Sequence, residues 1–248
     1  MTLVTPLYNA FKHDHMEVFI LLLQRGANPN IEVSSGVPIM FECSEPYVHL
    51  LIEYGANVNL PKIVTSTVSN WNEYLIEKYI DNYNMVWLLL HNGLNVNGVH
   101  YNATPLFIAS RKWSTSRHDV MKLLLDHGAD VNIPTVPGNS YPIHWTVRGP
   151  DAYATTEMLI KHGAMLNVKD RVYRTPLRIA IEEGGIGTKT EFEVIKLLIK
   201  YGADILQERF PGVLLDVAYR CNFTELINLF EECGVIRQPP NPITGRYY

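Results

Sequence analysis

The chain has 248 residues, of which 47% are hydrophobic and 19% are charged, a composition that excludes an intrinsically disordered protein. Its formal net charge of −4 argues against a nucleic-acid-binding protein, because such proteins present a basic surface. The three cysteines form no CxxC pair, no signal peptide is visible, and no apolar run approaches the roughly 20 residues that span a membrane. We therefore expect an intracellular protein, cytoplasmic or nuclear, with reduced thiols.

Glycines recur along the chain at intervals of 29 to 39 residues, most of them after an apolar run with helical spacing. Glycine reaches the left-handed conformation at low cost, so it often marks the end of a helix. These turn glycines are Gly26, Gly55, Gly93, Gly128, Gly163, Gly202 and Gly234. Their spacing predicts about seven repeated units.

Each unit is predicted to begin with a short inner helix. Several units open with Thr-Pro, in which the threonine caps the helix and the proline takes the first helical position. A small residue near the end of this segment, such as Ala109, lets a second helix approach closely. The predicted units start at Thr5, Val37, Asn72, Thr104, Tyr141, Thr175 and Val213.

A second, outer helix follows and repeats apolar residues at positions i, i+3 and i+4, as Val120, Leu123 and Leu124 do. This spacing places one apolar stripe against the inner helices. The predicted outer helices are Met16–Gln24, 47–54, 85–91, the helix from Val120 that stops at Gly128, 155–162 and 192–201. Two short helices cannot bury their own apolar faces, so we expect neighbouring units to stack.

Four segments depart from the repeat period. We expect a long loop at 60–71 in place of a hairpin, followed by an inner helix at about 72–79. Insertions separate the two helices of the fourth, fifth and sixth units, at 112–117, around 149–151 and at 184–190. The last insertion is glycine-rich, but it lacks the order of glycine and lysine that a phosphate-binding P-loop requires.

The segments Thr104-Pro105-Leu106-Phe107-Ile108-Ala109 and Gly128-Ala129-Asp130-Val131-Asn132 carry a family signature. The pattern resembles the ankyrin repeat, with its period of about 33 residues and its T-P-L-H-x-A motif. This resemblance implies an all-α solenoid, a stack of about seven helix-turn-helix units with hairpin loops. We expect an ankyrin-repeat domain at 1–236 and a Pro-rich C-terminal tail at 237–248. The predicted units lie near 1–34, 35–63, 64–101, 102–137, 138–171, 172–209 and 210–236.

The resemblance also implies a non-catalytic protein–protein interaction module, whose partner lies in the concave groove formed by inner helices and hairpin tips. Large aromatic and arginine side chains are the types that anchor protein interfaces. Candidate partner-binding residues are Trp71, His100, Tyr101, Trp113, His144, Trp145, Arg148, Arg171, Tyr173 and Arg174. We expect another protein as the partner, and neither a cofactor, a nucleic acid nor a membrane. No metal site is predicted, since His13 and His15 would need further ligands.

Two alternatives stay open. In ankyrin repeats the histidine of the T-P-L-H motif is structural and bonds the cap threonine, but Tyr141 stands where that threonine is expected before His144. An untethered His144 could serve as the acid–base group of an isomerase- or cyclase-like enzyme that holds a small apolar molecule in a groove pocket. Alternatively, the chain is the repeat portion of a larger multidomain protein.

Overall fold

The computed structural model describes residues 5–34, 37–65, 70–99, 102–183, 189–206, 215, 218–219 and 224–236. The chain divides into two compact units, Met1–Pro105 and Leu106–Tyr248. The single repeat array through residue 236 stays a prediction. The division falls at the start of the predicted fourth repeat. The predicted tail at 237–248 and most of the inserted segment 184–190 lie outside the described residues.

The first unit consists of three helix pairs. The helices are α1 (Pro6–Lys12), α2 (Met16–Gln24), α3 (Ile39–Glu42), α4 (Glu45–Glu53), α5 (Leu75–Tyr79) and α6 (Tyr83–His91). Within each pair the inner helix packs on the outer one, and α2 also packs on α4. The fully buried side chains of Phe19, Leu51 and Leu89 lie on the outer helices, as the apolar stripe predicts.

The second unit continues the same pairing. Its helices are α7 (Pro105–Arg111), α8 (Arg117–Asp126), α9 (Ile143–Thr146), α10 (Ala152–Lys161), α11 (Pro176–Glu183), α12 (Lys189–Lys200) and α13 (Thr224–Glu232). The outer helix α10 packs between α8 and α12, and the inner helix α9 packs on α11. The helix pairs are confirmed, but the predicted count of seven is not, because much of the last inner segment lies outside the described residues.

The predicted capping signals are confirmed at several helix ends. Thr5 Oγ1 accepts a hydrogen bond from the Tyr8 amide at 3.2 Å, and Thr175 Oγ1 accepts one from Arg178 at 3.1 Å. All seven turn glycines have positive φ, between 79° and 101°. These glycines end the helices as expected, because only the left-handed conformation lets the following amide return to the last turn.

Asparagine side chains in the turns link consecutive repeats. Asn59 Oδ1 accepts the Asn95 amide at 2.8 Å, while its Nδ2 donates to the Gly93 carbonyl at 2.8 Å. The same two bonds join Asn132 to Met165 and Gly163, and Asn167 to Asp204 and Gly202. The sequence does not predict these hydrogen bonds between repeats, so they are a structural finding.

The prediction of a long loop at 60–71 is wrong. Strand β3 (Pro61–Thr65) pairs antiparallel with β4 (Asn70–Tyr74), and Pro61 lies opposite Tyr74. The β-branched run in β3 favours extended backbone over an open loop. The inner helix consequently begins at Leu75 rather than near residue 72, with the Glu77 carboxylate accepting the Tyr74 amide. A shorter pair precedes α3, where β1 (Glu32–Ser34) runs antiparallel to β2 (Val37–Pro38).

The outer helices begin two or three residues earlier than predicted in five units, including those that start at Glu45 and Tyr83. Helix α8 begins at Arg117, which the sequence analysis assigns to the insertion, and α12 begins at Lys189. Helix α10 begins at Ala152, three residues before the predicted start. Helix α8 therefore includes Arg117, whose side chain is buried.

Candidate functional site

Trp145 lies at the centre of the candidate site, on the short inner helix α9 of the second unit. Its ring is partly buried, and the indole N–H donates to Ser140 Oγ at 3.1 Å. The buried ring of Phe107 on α7 meets it edge to face, with centroids 6.3 Å apart and an interplanar angle of 82°. These contacts fix the orientation of the tryptophan before any partner arrives.

Two guanidinium groups lie over the Trp145 ring. The Cζ atom of Arg111, at the end of α7, is 4.9 Å from the ring centroid, and that of Arg148, just after α9, is 4.5 Å away. At these distances the ring quadrupole attracts each cation. We call these three residues the arginine–tryptophan cluster. Burial lowers the pKa of Arg148, the like charge of Arg174 lowers it further, and Asp170 opposes the change.

A rigid turn at residues 170–174, the Asp170 turn, lies beside the cluster. Asp170 Oδ1 accepts the amides of Val172 and Arg174 at 2.9 Å each, and Oδ2 pairs with the Arg174 side chain at 3.0 Å. Burial raises the pKa of Asp170, but the hydrogen bonds and charge of Arg174 outweigh it, so the net shift is downward. The turn presents Tyr173, which is 71% exposed and has a left-handed φ of 62°, and the exposed Arg171.

Arg117 forms a buried ion pair that the sequence does not predict. Its side chain is at the first residue of α8 and is only 1% exposed, and its Nη1 lies 3.2 Å from Asp151 Oδ1. Nη2 donates to the Trp145 carbonyl at 3.4 Å. The Nη1–Oδ1 approach is within ion-pair distance but is not aligned as a hydrogen bond. The pair ties the start of α8 to the connection between α9 and α10.

The lack of a side chain at Gly149 leaves room for the Arg117–Asp151 ion pair. A Cβ at position 149 would lie 3.3 Å from both Arg117 Nη1 and the indole nitrogen of Trp113, and the residue has a φ of 99°. Both crowding and backbone conformation therefore favour glycine. Trp113 itself is 63% exposed, in the segment between α7 and α8, so it remains accessible to a partner.

His144 is held inside the second unit. Its side chain is 1% exposed, Nδ1 accepts the Tyr141 amide at 2.9 Å, and Nε2 lies 3.2 Å from the Val168 carbonyl. Because Nδ1 accepts, the proton must reside on Nε2, which donates to the carbonyl. The ring is therefore neutral with both nitrogens engaged. The contacts match a structural histidine with a rebuilt tether, in which a backbone amide replaces the missing threonine hydroxyl, and they do not support the alternative of an untethered ring.

The comparison with known families agrees with this architecture. The family model "Ankyrin repeat" matches residues 3–32 and 101–136, which include the first helix pair and both helices of the fourth repeat. This chain contains ankyrin repeats. Ankyrin repeats generally mediate protein–protein interactions, and proteins of this family are typically non-enzymatic.

Similar proteins come from a virus and from human. The chain is 30% identical over 131 residues to the ankyrin repeat protein FPV222 of fowlpox virus (strain NVSL), covering 52% of this chain and 17% of that protein. It is 26% identical over 135 residues to FPV232 of the same virus, covering 54% and 26%. It is 30% identical over 137 residues to the human ankyrin repeat and SOCS box protein 6, covering 54% and 31%. The matches thus span less than a third of these relatives.

In this chain, His144 is neither a surface residue nor an available acid–base group. Its two hydrogen-bond partners are backbone atoms, and neither is the carboxylate that would orient a catalytic imidazole. Burial lowers the pKa of His144, and Asp170 and the hydrogen bonds to backbone groups only partly oppose that shift. The enzyme alternative therefore has no base at this position.

Acidification is expected to destabilise the protein through His144. Because its pKa in the folded state is below the ordinary value of about 6.5, the unfolded chain binds the proton more readily. The stabilising contribution is complete above about pH 6.5 and is lost as the pH falls through that value. Urea unfolding between about pH 7.5 and 5.5 should show a loss for the wild type that exceeds the loss for His144→Gln by up to about 1 kcal/mol. Equal pH dependence in the two proteins would contradict this role.

The structure describes only some of the remaining predicted partner-binding residues. Trp71 lies on β4 of the first unit, opposite Val64, and its side chain is not described. His100 and Tyr101 lie outside the described residues. Trp145, Arg148, Arg174 and Tyr173 do come together in the second unit. Arg111 and Asp170 are not among the residues predicted from the sequence, although Arg111 stands four residues after Phe107 and therefore on the same helix face.

The described side chains give little support for metal binding or for a reactive cysteine. In that part of the chain, no cluster of three or more His, Cys, Asp and Glu residues is placed to hold a metal ion. Burial raises the pKa of the Cys43 thiol to about 12, so this cysteine is unreactive at neutral pH. No helix within the described ranges has the length and apolar character needed to cross a membrane.

Proposed function

We propose that this chain is a non-catalytic module that binds another protein through the inner-helix side of its second unit. The proposed surface combines the arginine–tryptophan cluster with the Asp170 turn, and Trp113 extends it. The observation that carries the proposal is the position of two guanidinium groups over one fixed tryptophan ring, with Cζ atoms 4.9 and 4.5 Å from its centroid. In the ankyrin family such a position corresponds to the concave groove.

The composition and rigidity of this surface favour a binding role. Tryptophan, tyrosine and arginine are the residues most enriched among those that dominate binding energy. The Trp145 indole is held by Ser140, and the Asp170 turn is held by its own carboxylate. A surface ordered in advance loses little conformational entropy when a partner binds, so more of the contact energy appears as affinity.

The strained backbone of Tyr173 supports the same proposal. A bulky residue with a φ of 62° is disfavoured by its own Cβ. Such strain persists where the surrounding hydrogen bonds impose it, and it is more common at binding sites than elsewhere. Here the Asp170 hydrogen bonds impose a conformation that displays the tyrosine ring to solvent.

Affinity capture from native lysate with variant baits tests the proposal. We expect Arg171→Ala and Arg148→Gln to lower recovery of the specific partner by about tenfold, because interface arginines often contribute that much. Trp145→Ala should lower recovery of the partner to a similar extent. Because the Trp145 ring also packs on Phe107, the urea unfolding curve of this variant must be compared with that of wild type.

Lys122→Gln is the matched control, because Lys122 is an exposed cation on the outer helix α8. It should retain full recovery, and calorimetry with the purified partner should reproduce the ranking. If the partner binds the Arg148, Arg171 and Trp145 variants as tightly as wild type, the second-unit surface is not the binding site.

A further inference from the structure

We propose that helix α13 and the turn that follows it, residues 224–236, form a separate opening unit. This segment unfolds and refolds locally while the helices through α12 stay folded. The inference goes beyond the proposed binding surface and does not depend on it. It rests on the residue type at position 206, which interrupts the hydrogen bonds that link consecutive turns.

The linking hydrogen bonds come from one position in the repeat. Asn132 and Asn167 each stand four residues after a turn glycine, and each side chain bonds two backbone groups of the next turn. We call these two bonds the asparagine bracket. Four residues after Gly202 the chain has Leu206, which is 56% exposed and whose side chain can neither donate nor accept a hydrogen bond. The turn at Gly234 therefore receives no bracket from position 206.

The backbone on both sides of this link keeps the repeat geometry. The Leu206 amide donates to Asp204 Oδ1 at 2.9 Å, which is the same turn bond that precedes the bracketed turns. Gly234 has a φ of 79°, in the left-handed region like the other turn glycines. By analogy with the bracketed turns, an asparagine at position 206 would meet the Ile236 amide and the Gly234 carbonyl.

The turn after α13 also lacks the polar residue that supports earlier turns. Ile236 stands two residues after Gly234, where Asp130 and Asp204 stand after their own glycines. Each of these aspartates accepts the amide two residues further on, which an isoleucine side chain cannot do. Ile236 is instead 81% exposed to solvent. Both side-chain hydrogen bonds that order earlier turns are therefore replaced by exposed apolar residues here.

Apolar packing holds α13 in place. Its Leu226 and Phe230 side chains are fully buried. Tyr219 Oη donates to Glu231 Oε1 at 2.6 Å, but this bond lies within the same predicted repeat and does not link it to the preceding one. The stability of a repeat array is close to a sum of repeat terms and interface terms, so an interface without its bracket opens more readily than its neighbours.

Hydrogen exchange by mass spectrometry on the 248-residue chain measures this opening. We expect the amides of α13 to exchange at a common rate, because one opening event exposes them all. After correction for intrinsic rates, this rate should be at least about tenfold faster than in α10 and α12, since two hydrogen bonds are missing from the link. A rate that falls gradually along α13 from residue 232 to residue 224 would indicate fraying of one helix end and would overturn the inference.

Leu206→Asn restores the bracket. Exchange in α13 should slow about tenfold in this variant, while α10 and α12 keep their wild-type rates. Leu206→Asp can accept the Ile236 amide but cannot donate to the Gly234 carbonyl, so it should slow exchange less than asparagine does. Leu206→Ala is the matched control, because it removes the exposed apolar side chain without adding a hydrogen bond, and it should exchange like wild type.

Asn167→Leu makes the reciprocal change at a bracketed link. It removes the bonds to the Gly202 carbonyl and the Asp204 amide, so α12 should exchange about tenfold faster than in wild type. Three outcomes would overturn the inference: wild-type α13 exchanging as slowly as α12, equal exchange in Leu206→Asn and Leu206→Ala, or an unchanged α12 in Asn167→Leu. None of these readouts involves a partner, so they are independent of the capture experiment on Arg148 and Arg171.

Discussion

Replacing Asp151 with alanine is expected to lower the free energy of unfolding by about 3 kcal/mol. The carboxylate lies 3.2 Å from Nη1 of Arg117, whose side chain is fully buried beneath the Trp145 backbone. Removing it leaves a guanidinium charge in the interior without a counter-ion, and desolvation of that charge is expensive. The loss should appear as a lower urea midpoint with an unchanged slope.

The companion variant Arg117→Met distinguishes the cost of an unpaired buried charge from the cost of lost packing. Methionine preserves much of the side-chain volume and removes the buried cation, so it should cost less than Asp151→Ala. The combination Arg117→Met/Asp151→Ala should likewise be more stable than Asp151→Ala alone, because no unpaired charge remains. A neutral effect of Asp151→Ala would show that the ion pair contributes nothing to the fold.

Leu124→Ala is expected to lower the free energy of unfolding by about 2–5 kcal/mol, the range for truncating a buried leucine. Leu124 lies on α8 with a fully buried side chain. Because each repeat is stabilised mainly by contacts with its neighbours, a cavity in an internal outer helix also weakens the packing of α8 on α10. Urea denaturation followed by far-UV circular dichroism measures the change.

The matched control for this prediction is Lys122→Ala, on the exposed face of the same helix. Surface changes of this kind usually alter stability by less than about 0.5 kcal/mol. If Leu124→Ala cost no more than Lys122→Ala, the assignment of the apolar stripe of α8 to the core would be wrong.

Local signals made the repeated helices predictable from the sequence. The apolar spacing of Val120, Leu123 and Leu124 marks one helix face, and all three side chains are buried. Glycine at position 128 takes a φ of 85°, as a helix terminator should. Such features depend on residues within one or two helical turns of each other, so a linear sequence contains them.

Features that depend on distant partners were not predictable. The Asn132 side chain bonds Gly163 and Met165 of the next repeat, and nothing within its own turn indicates this. The buried Arg117 pairs with Asp151, and Asp151 comes from another helix pair. His144 keeps a structural role because the Tyr141 amide and the Val168 carbonyl replace the usual threonine, which only the folded backbone reveals.

The residues of the candidate site were predictable only in part. Trp145, Arg148 and Tyr173 could be named from residue type and position in the repeat, since aromatic and arginine side chains anchor interfaces. Arg111 could not be added, because its contact with Trp145 requires α7 and α9 to pack side by side.

Hydrogen exchange by mass spectrometry on the complex tests the central proposal most directly. With the captured partner bound, we expect slower amide exchange in 107–111, 140–148 and 170–174, and no change in the outer helices α8, α10 and α12. Protection confined to those outer helices, or to the first unit, would contradict a binding surface built on Trp145.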